Sequence, residues 1–417
     1  MIKRLKFNLE DLVNEMLDKL PQEVFKSDST TFLDPEMGGG QFVAAVEERL
    51  RKYGHSDVNI SKRVFGLTGN RIRLNYIMNE YSLVGTYCIG DFLTKEYNDM
   101  KFDVVIGNPP YQDSDNAGMR KDKAKNLWSK FIQKGHGLLK ADGILGIICP
   151  NAWLSPSADI GKGKKGLRFL RDYFSEGSLY HVNVKDVNKH FPTVAVEISY
   201  FLYSKSTLTR TPKLVTLDHR KNLIEKEISL KDYKFLPRDL NPLALSITNK
   251  LLDNSREKFN FTTTNSKYGV KNWSTDEKLD YKVYHSASKK GIKYYNENIN
   301  NLKATKKVIV SASSVYAPYY DKGEYLYSNM TMAYLLEDGE KLENVKTILS
   351  SKLYLLVNEF NIWGGWVSFE TIRNLPKLDT SKKWTNEEIY KEFKLTKEEI
   401  DFIESYQYVE NKHPKLI

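Results

Sequence analysis

Apolar positions in the first half of the chain recur with two different periods. Over residues 8–20, Leu9, Leu12, Val13, Met16, Leu17 and Leu20 share one face of a helix. Residues 31–34 predict a short strand ending in an acid, 38–40 a glycine loop and 42–50 a second helix. A strand is expected over 63–67, then a helix through Ile72, Tyr76 and Ile77, then a third strand over 87–89 that ends at Gly90-Asp91. Residues 102–107 form the fourth strand, and the unbroken run Val104, Val105, Ile106 suits a strand buried on both faces. A helix over 128–139, a buried strand over 144–149 and a later strand over 194–203 complete the series. This alternation predicts an α/β, Rossmann-like, doubly wound sheet over 1–204.

The pattern then changes. Residues 205–380 are rich in Lys, Asn, Ser, Thr and Tyr with weak periodicity, and predict a separate mixed α+β domain. Here Tyr294, Tyr295, Tyr316, Tyr319, Tyr320, Tyr325 and Tyr327 interleave with lysines, which suits base stacking and equally an amphipathic sheet. In 381–417, Thr385 with Glu388 and Thr396 with Glu399 have capping-box spacing and predict two short helices forming a tail.

With 417 residues and 41% apolar content the chain can build real cores, which excludes wholesale disorder. No run approaches the apolar length of a membrane span, and the basic start lacks the apolar run of a secretory signal. Two cysteines, Cys88 and Cys149, exclude a disulfide framework and a four-cysteine zinc site, and Cys149 reads as a buried strand residue. The seven histidines lack metal-binding spacing, so no metal is expected. A reducing, cytoplasmic setting follows by default. The net charge is +10, of which 205–380, with 28 basic and 20 acidic residues, holds +8. Such an excess suits a polyanionic partner and equally a solvated, lysine-rich surface.

The chemistry concentrates just past the fourth strand, at Asn108-Pro109-Pro110-Tyr111. Two successive prolines have no N–H for a sheet ladder, so they force a rigid turn at a strand's C-terminal end, where open α/β sheets bind ligands. An exocyclic aromatic amine is a poor nucleophile because its lone pair is delocalised into the ring. Acceptors at the Asn108 side-chain oxygen and the Pro109 carbonyl would localise that lone pair, and Tyr111 would stack on the base. The second motif is Asp34-Pro35-Glu36-Met37-Gly38-Gly39-Gly40-Gln41-Phe42: an acid at a strand end, a glycine turn and a helix start. It lacks the G-x-G-x-x-G spacing of a dinucleotide site.

Together these motifs resemble the gamma-class S-adenosylmethionine-dependent N6-adenine DNA methyltransferases of restriction-modification systems. The resemblance implies that Asp34, Pro35, Gly38, Gly40 and Phe42 form the cofactor loop, and that Asn108 to Tyr111 is the N-P-P-Y catalytic motif. It implies that Asp91 and Phe92 receive the cofactor's adenine, and that Phe191, with Pro192 and Thr193, packs with Tyr111 against a flipped-out target adenine. Asn8 stands where the family closes over the cofactor. Thr68 replaces the usual ribose-binding acid, and Glu36 places an extra acid in the loop, facing the cofactor's amino group or solvent. The partner implied is double-stranded DNA, held between 1–204 and a target-recognition domain at 205–380, with a possible cognate restriction endonuclease and a nucleoid-associated location. A methyltransferase acting on RNA or a protein glutamine amide is the nearest rival, and a non-catalytic specificity subunit is the rival of another class.

Three further segments are ambiguous. Residues 112–125, with Asp113, Arg120, Lys121 and Lys123, read as a closing loop or a connector. Gly161 to Gly166, with Lys162, Lys164 and Lys165, read as a phosphate contact or an exposed loop. Trp363-Gly364-Gly365-Trp366 reads as core packing rather than a base wedge.

Overall fold

The computed structural model describes residues 2–112, 127–155, 178–184, 187–191, 194, 196–206, 213–217, 222–238, 240–263, 269–270, 274, 281–285, 294–296, 305–312, 316, 318–363 and 366–406. The charged stretch after Gln112 and the 161–166 run, Pro192, Thr193, and the side chains of Asn8, Tyr294, Tyr295 and Trp363 lie outside the described residues. Two compact units emerge, the first within Met1–Trp153 and Leu167–Lys231, the second within Leu154–Gly166 and Asp232–Ile417.

The first unit is built on a nine-stranded sheet. Its strands are β1 (Phe32–Asp34), β2 (Val64–Thr68), β3 (Thr86–Ile89), β4 (Phe102–Gly107), β5 (Leu139–Pro150), β6 (Ser178–Asn183), β7 (Ile198–Ser204), β8 (Lys213–Leu217) and β9 (Leu223–Glu227). They lie in the order β3-β2-β1-β4-β5-β7-β6-β8-β9. The first five are mutually parallel, and β7 runs antiparallel between β5 and β6. The order reverses at β1 and β4, which pair through Phe32↔Val104 and Leu33↔Val105. A connection leaves each of these strands in opposite directions, so their C-terminal ends frame a crevice.

Both faces of the sheet are covered. Val104, Ile106, Ile144 and Ile148 join one core with Leu12, Met16 and Leu17 of helix α1 (Ile2–Asp18), Phe42 and Val46 of α2 (Gln41–Lys52), and Leu74 and Ile77 of α3 (Arg71–Tyr81). Val105 and Leu145 point the other way, toward α4 (Trp128–Gly137), whose Gly135 would bring an added Cβ to 3.3 Å from each. The third of these helices forms where expected, but Ile72 and Tyr76 are 81% and 57% exposed, and Leu74 and Ile77 supply its buried face. Helix α1 is also tied down by polar contacts: Glu15 Oε1 accepts from the Tyr200 hydroxyl at 2.6 Å and from Asn183 Nδ2 at 3.1 Å. His181 stacks on Tyr200, and burial pushes its imidazole down to about 4.

The sequence-based boundary at 204/205 falls inside this sheet. Strand β8 pairs parallel to β6 and β9 pairs antiparallel to β8, so the first unit extends to Lys231. The polar Leu-Ile-Glu-Lys-Glu of β9 has no buried face to announce it, because an edge strand needs only a ladder.

In the second unit, one sheet orders Gly269–Val270, Leu326–Ser328, Tyr281–Tyr284 and Tyr294–Asn296, and another orders Tyr319–Asp321, Lys307–Ser311 and Thr331–Leu335. Lys307 and Asp321 form a fully buried ion pair at 2.5 Å between two strands of the latter. Tyr316, Tyr325 and Tyr327 are buried, so these tyrosines act in packing; Tyr327 donates to or accepts from Thr262 at 3.0 Å. Both predicted capping boxes form, on Asn386–Glu392 and Lys397–Ser405. Those helices are not a tail: Ile389, Tyr390, Phe393, Phe402 and Ile403 belong to the second unit's main apolar cluster. Trp366, expected in the core, is 54% exposed at the start of a short strand. Among the described residues no helix is long and apolar enough to cross a membrane.

Candidate active site

The two motifs, 74 residues apart in sequence, meet at the C-terminal ends of β1 and β4. Asp34 closes β1 and is 3% exposed. Its Oδ1 accepts the Glu36 N–H at 3.0 Å, while its Oδ2 has no hydrogen-bond partner. Burial holds the carboxyl well above its ordinary range, the Glu36 N–H pulls it back, and the Glu36 charge adds to the rise. On the neighbouring strand, a Cβ on Gly107 would sit 2.8 Å from Asp34 Oδ1 and 3.1 Å from Pro35 Cδ. Only glycine lets the end of β4 close on the acid.

The loop after Asp34 lies over β2. The Met37 N–H donates to the Leu67 carbonyl at 2.8 Å, and the Gly40 N–H to the Met37 carbonyl at 2.7 Å. Gly38 and Gly40 take φ of 55° and 84°, a region open to glycine. At Gly40 an added Cβ would meet Ile77 Cγ2 at 2.2 Å, so the loop also seats α2 against α3. Phe42 is 4% exposed within the core. It anchors α2 rather than facing the crevice.

Glu36 is half-buried and does not simply face solvent. Burial raises its carboxyl above the ordinary range; Arg73 and the Gly38 N–H lower it, Asp91 raises it, and the Thr68 hydroxyl lowers it. The extra acid therefore lies among the ends of β1, β2 and β3. Its spacing in the sequence carried no sign of this, since these groups converge only in the sheet.

At the end of β3, Asp91 is exposed and its Oδ1 accepts the Leu93 N–H at 2.8 Å. Phe92, expected to pack on a cofactor ring, is 1% exposed. It stacks on Phe131 of α4 with ring centres 5.0 Å apart and meets Tyr97 edge-on at 5.8 Å. The ring is consumed by the core, so only Asp91 of this pair is open to a ligand.

Asn108 follows β4 directly and is half-buried, Pro109 is buried and Pro110 exposed. The Tyr111 hydroxyl donates to Asn108 Oδ1 at 3.0 Å, and burial raises its phenol well above the ordinary value. Tyr111 and Phe191 both pack, half-buried, against the apolar cluster that α1 covers. Phe191 follows a short turn, Asn188–His190, and its N–H donates to the Asn188 carbonyl at 3.0 Å. Thus Asp34, Gly38, Gly40, Asp91, Asn108, Tyr111 and Phe191 stand around one end of the sheet, while Phe42 and Phe92 support it from within.

Buried Cys149 lies on β5, where desolvation raises its thiol well above the ordinary value. It is a packing residue, not a thiolate nucleophile.

Comparison with known proteins finds similarity to methylases of restriction-modification systems. Residues 56–185 match the profile of the family described as Eco57I restriction-modification methylase. The type II methyltransferase M.BstVI of Geobacillus stearothermophilus is 29% identical over 147 residues, 32% of this chain and 25% of the relative. The type II methyltransferase M.HincII of Haemophilus influenzae is 24% identical over 229 residues, 51% of this chain and 40% of the relative. The chain thus spans less than half the length of these curated relatives. Among solved structures, the type IIL restriction-modification enzyme MmeI in complex with DNA superposes with a TM-score of 0.44 at 10% identity, over 91% of this chain and 65% of that one.

Proposed function

We propose that this chain, which carries an Eco57I-type restriction-modification methylase segment across 56–185, is a DNA methyltransferase that uses S-adenosylmethionine to methylate the N6 amine of adenine. The observation that carries the reading is the rigid Asn108–Tyr111 turn placed beside a buried, half-satisfied Asp34 carboxylate. The cofactor supplies an electrophilic methyl group on a cationic sulfur, and its amino-acid end carries an ammonium. A buried carboxylate with a free oxygen calls for a cationic partner, and the Gly38–Gly40 backbone allows close approach. The residues therefore fit the group. Asp34 would hold its cationic part, and the exposed Asp91 would accept from its adenine amine.

The chain's own residues then do three things. Asn108 Oδ1 and the Pro109 carbonyl accept the two N–H bonds of the target amine, localising its lone pair. Tyr111 and Phe191 clasp the flipped base, whose amine cannot be reached while it is stacked in a duplex. The proton lost after transfer leaves to water, since the positively charged product amine is strongly acidic and needs no dedicated base. The basic excess over 205–380 serves the phosphate backbone, so DNA affinity falls as salt rises. By analogy with restriction-modification systems, a cognate endonuclease would recognise the same site.

The test is transfer of labelled methyl to duplex DNA, RNA and release factor in parallel, with digestion of the products. Label on N6 of adenine in duplex DNA supports the proposal. Label on RNA or on a glutamine amide, or none on any substrate, overturns it.

Tyr111→Phe keeps the ring but removes the donor to Asn108 Oδ1. Its turnover is expected to fall about three- to tenfold, with cofactor affinity unchanged, because one neutral hydrogen bond that orients the amide is lost. Single-turnover kinetics at saturating cofactor measures this.

A further inference from the structure

Helix α4 is fastened to both loops that frame the site. At its start, the Leu127 N–H donates to the Tyr111 carbonyl at 3.2 Å. Further along, the Phe131 ring stacks on Phe92, and one turn later Lys134 reaches the same loop. Its Nζ donates to the Leu93 carbonyl at 3.0 Å and to the Lys95 carbonyl at 2.6 Å. The ammonium also lies 5.5 Å from the Phe92 ring centre and 5.2 Å from that of Tyr97.

These contacts close a small, over-determined loop. Asp91 starts it, with Oδ1 on the Leu93 N–H and its carbonyl on the Lys95 N–H at 3.0 Å. Phe92 and Tyr97 are buried beneath it. Lys134 adds a bond to two further backbone acceptors of this loop, the Leu93 and Lys95 carbonyls. Burial lowers the Lys134 ammonium below its ordinary range, and the negative charges of Asp91 and Glu96 offset part of that. A cation on a long apolar stem meets every demand here: two acceptors, two ring faces and two acids.

We infer that Lys134 is a positioning residue for the nucleoside end of the cofactor: through α4 it holds the exposed Asp91 carboxylate in register with the Asn108–Tyr111 turn. The inference rests on the methyltransferase reading above. Nothing in the sequence motifs marks Lys134, which lies 43 residues beyond Asp91 and outside both loops.

The experiment measures binding of S-adenosylmethionine and of adenosine alone, together with turnover at saturating cofactor and the thermal midpoint, in Lys134→Met and Lys134→Arg. Lys134→Met is expected to weaken both ligands by about the same factor, roughly tenfold, because the loss is confined to the shared nucleoside. Turnover at saturation stays within about twofold. Lys134→Arg restores most of the affinity, since a guanidinium can bridge two carbonyls. If Lys134→Met does not fold, Phe131→Leu loosens the same loop from its stacked side, with the same parallel loss for both ligands. A lower thermal midpoint with unchanged affinities overturns the inference, as does lost turnover with unchanged affinities. A wild-type protein that binds neither ligand overturns the methyltransferase reading, and this inference with it.

Discussion

Asn108→Ala is expected to lower the rate of methyl transfer by about two to three orders of magnitude while leaving the cofactor dissociation constant within about twofold. The asymmetry follows from geometry. Asn108 lies past the end of β4 in a turn that two prolines make rigid, and its Oδ1 already receives the Tyr111 hydroxyl. An acceptor so held costs little reorganisation when the amine's lone pair is localised, so its contribution appears in turnover. Alanine leaves the Asp34 loop and the Asp91 turn untouched, so binding persists. Asn108→Asp keeps an oxygen but adds a charge beside a half-buried phenol, and should recover only part of the rate. Single-turnover rates and calorimetric affinities, taken together, decide it. Turnover within tenfold of wild type would remove Asn108 from the reaction.

Asp34→Asn is expected to do opposite things to stability and to affinity. In the ligand-free protein, Asp34 is a buried carboxylate with one oxygen unpartnered. An amide still accepts the Glu36 N–H and carries no charge, so the thermal midpoint should rise by a few degrees, about 1 kcal/mol on a domain of this size. Cofactor affinity should fall about 10- to 100-fold, the scale of a lost charge-assisted contact. The pH dependence has a definite sign. The folded-state carboxyl titrates above its unfolded value, so the native protein holds this proton across the window between the two. Stability from this group is therefore present at low pH and is lost as pH rises through that window. Cofactor binding, which needs the carboxylate, strengthens over the same window in the wild type; Asp34→Asn lacks that Asp34 component. Calorimetry and binding titrations across the acid range measure both. A variant that loses stability and keeps its affinity would show that Asp34 serves the fold alone.

Much of the frame was legible because local pattern carries it. The heptad-like face of Leu9 to Leu20, the apolar run Val104 to Ile106 and the Thr385 and Thr396 caps each act over one or two turns or one strand, so neighbouring residues suffice to predict them. The Asn108–Tyr111 turn was legible for the same reason, since proline chemistry is local. Burial was less so. Ile72 and Ile77 look alike in the sequence, yet one is 81% and the other 1% exposed, according to which side of α3 meets the sheet.

By itself the sequence determined the α/β alternation, the two loops to which we assign the chemistry, and the acid and amide at their heads. The tertiary structure alone decided four other things. It brought Asp34 against Gly107, carried the first unit on to Lys231, turned Phe42 and Phe92 inward, and set Lys134 under the Asp91 loop. Each of these depends on strand pairing or packing between residues distant along the chain. A periodic pattern specifies which face of an element is apolar, but not which partner covers it. That choice is made when non-local strands pair and side chains compete for the same buried volume.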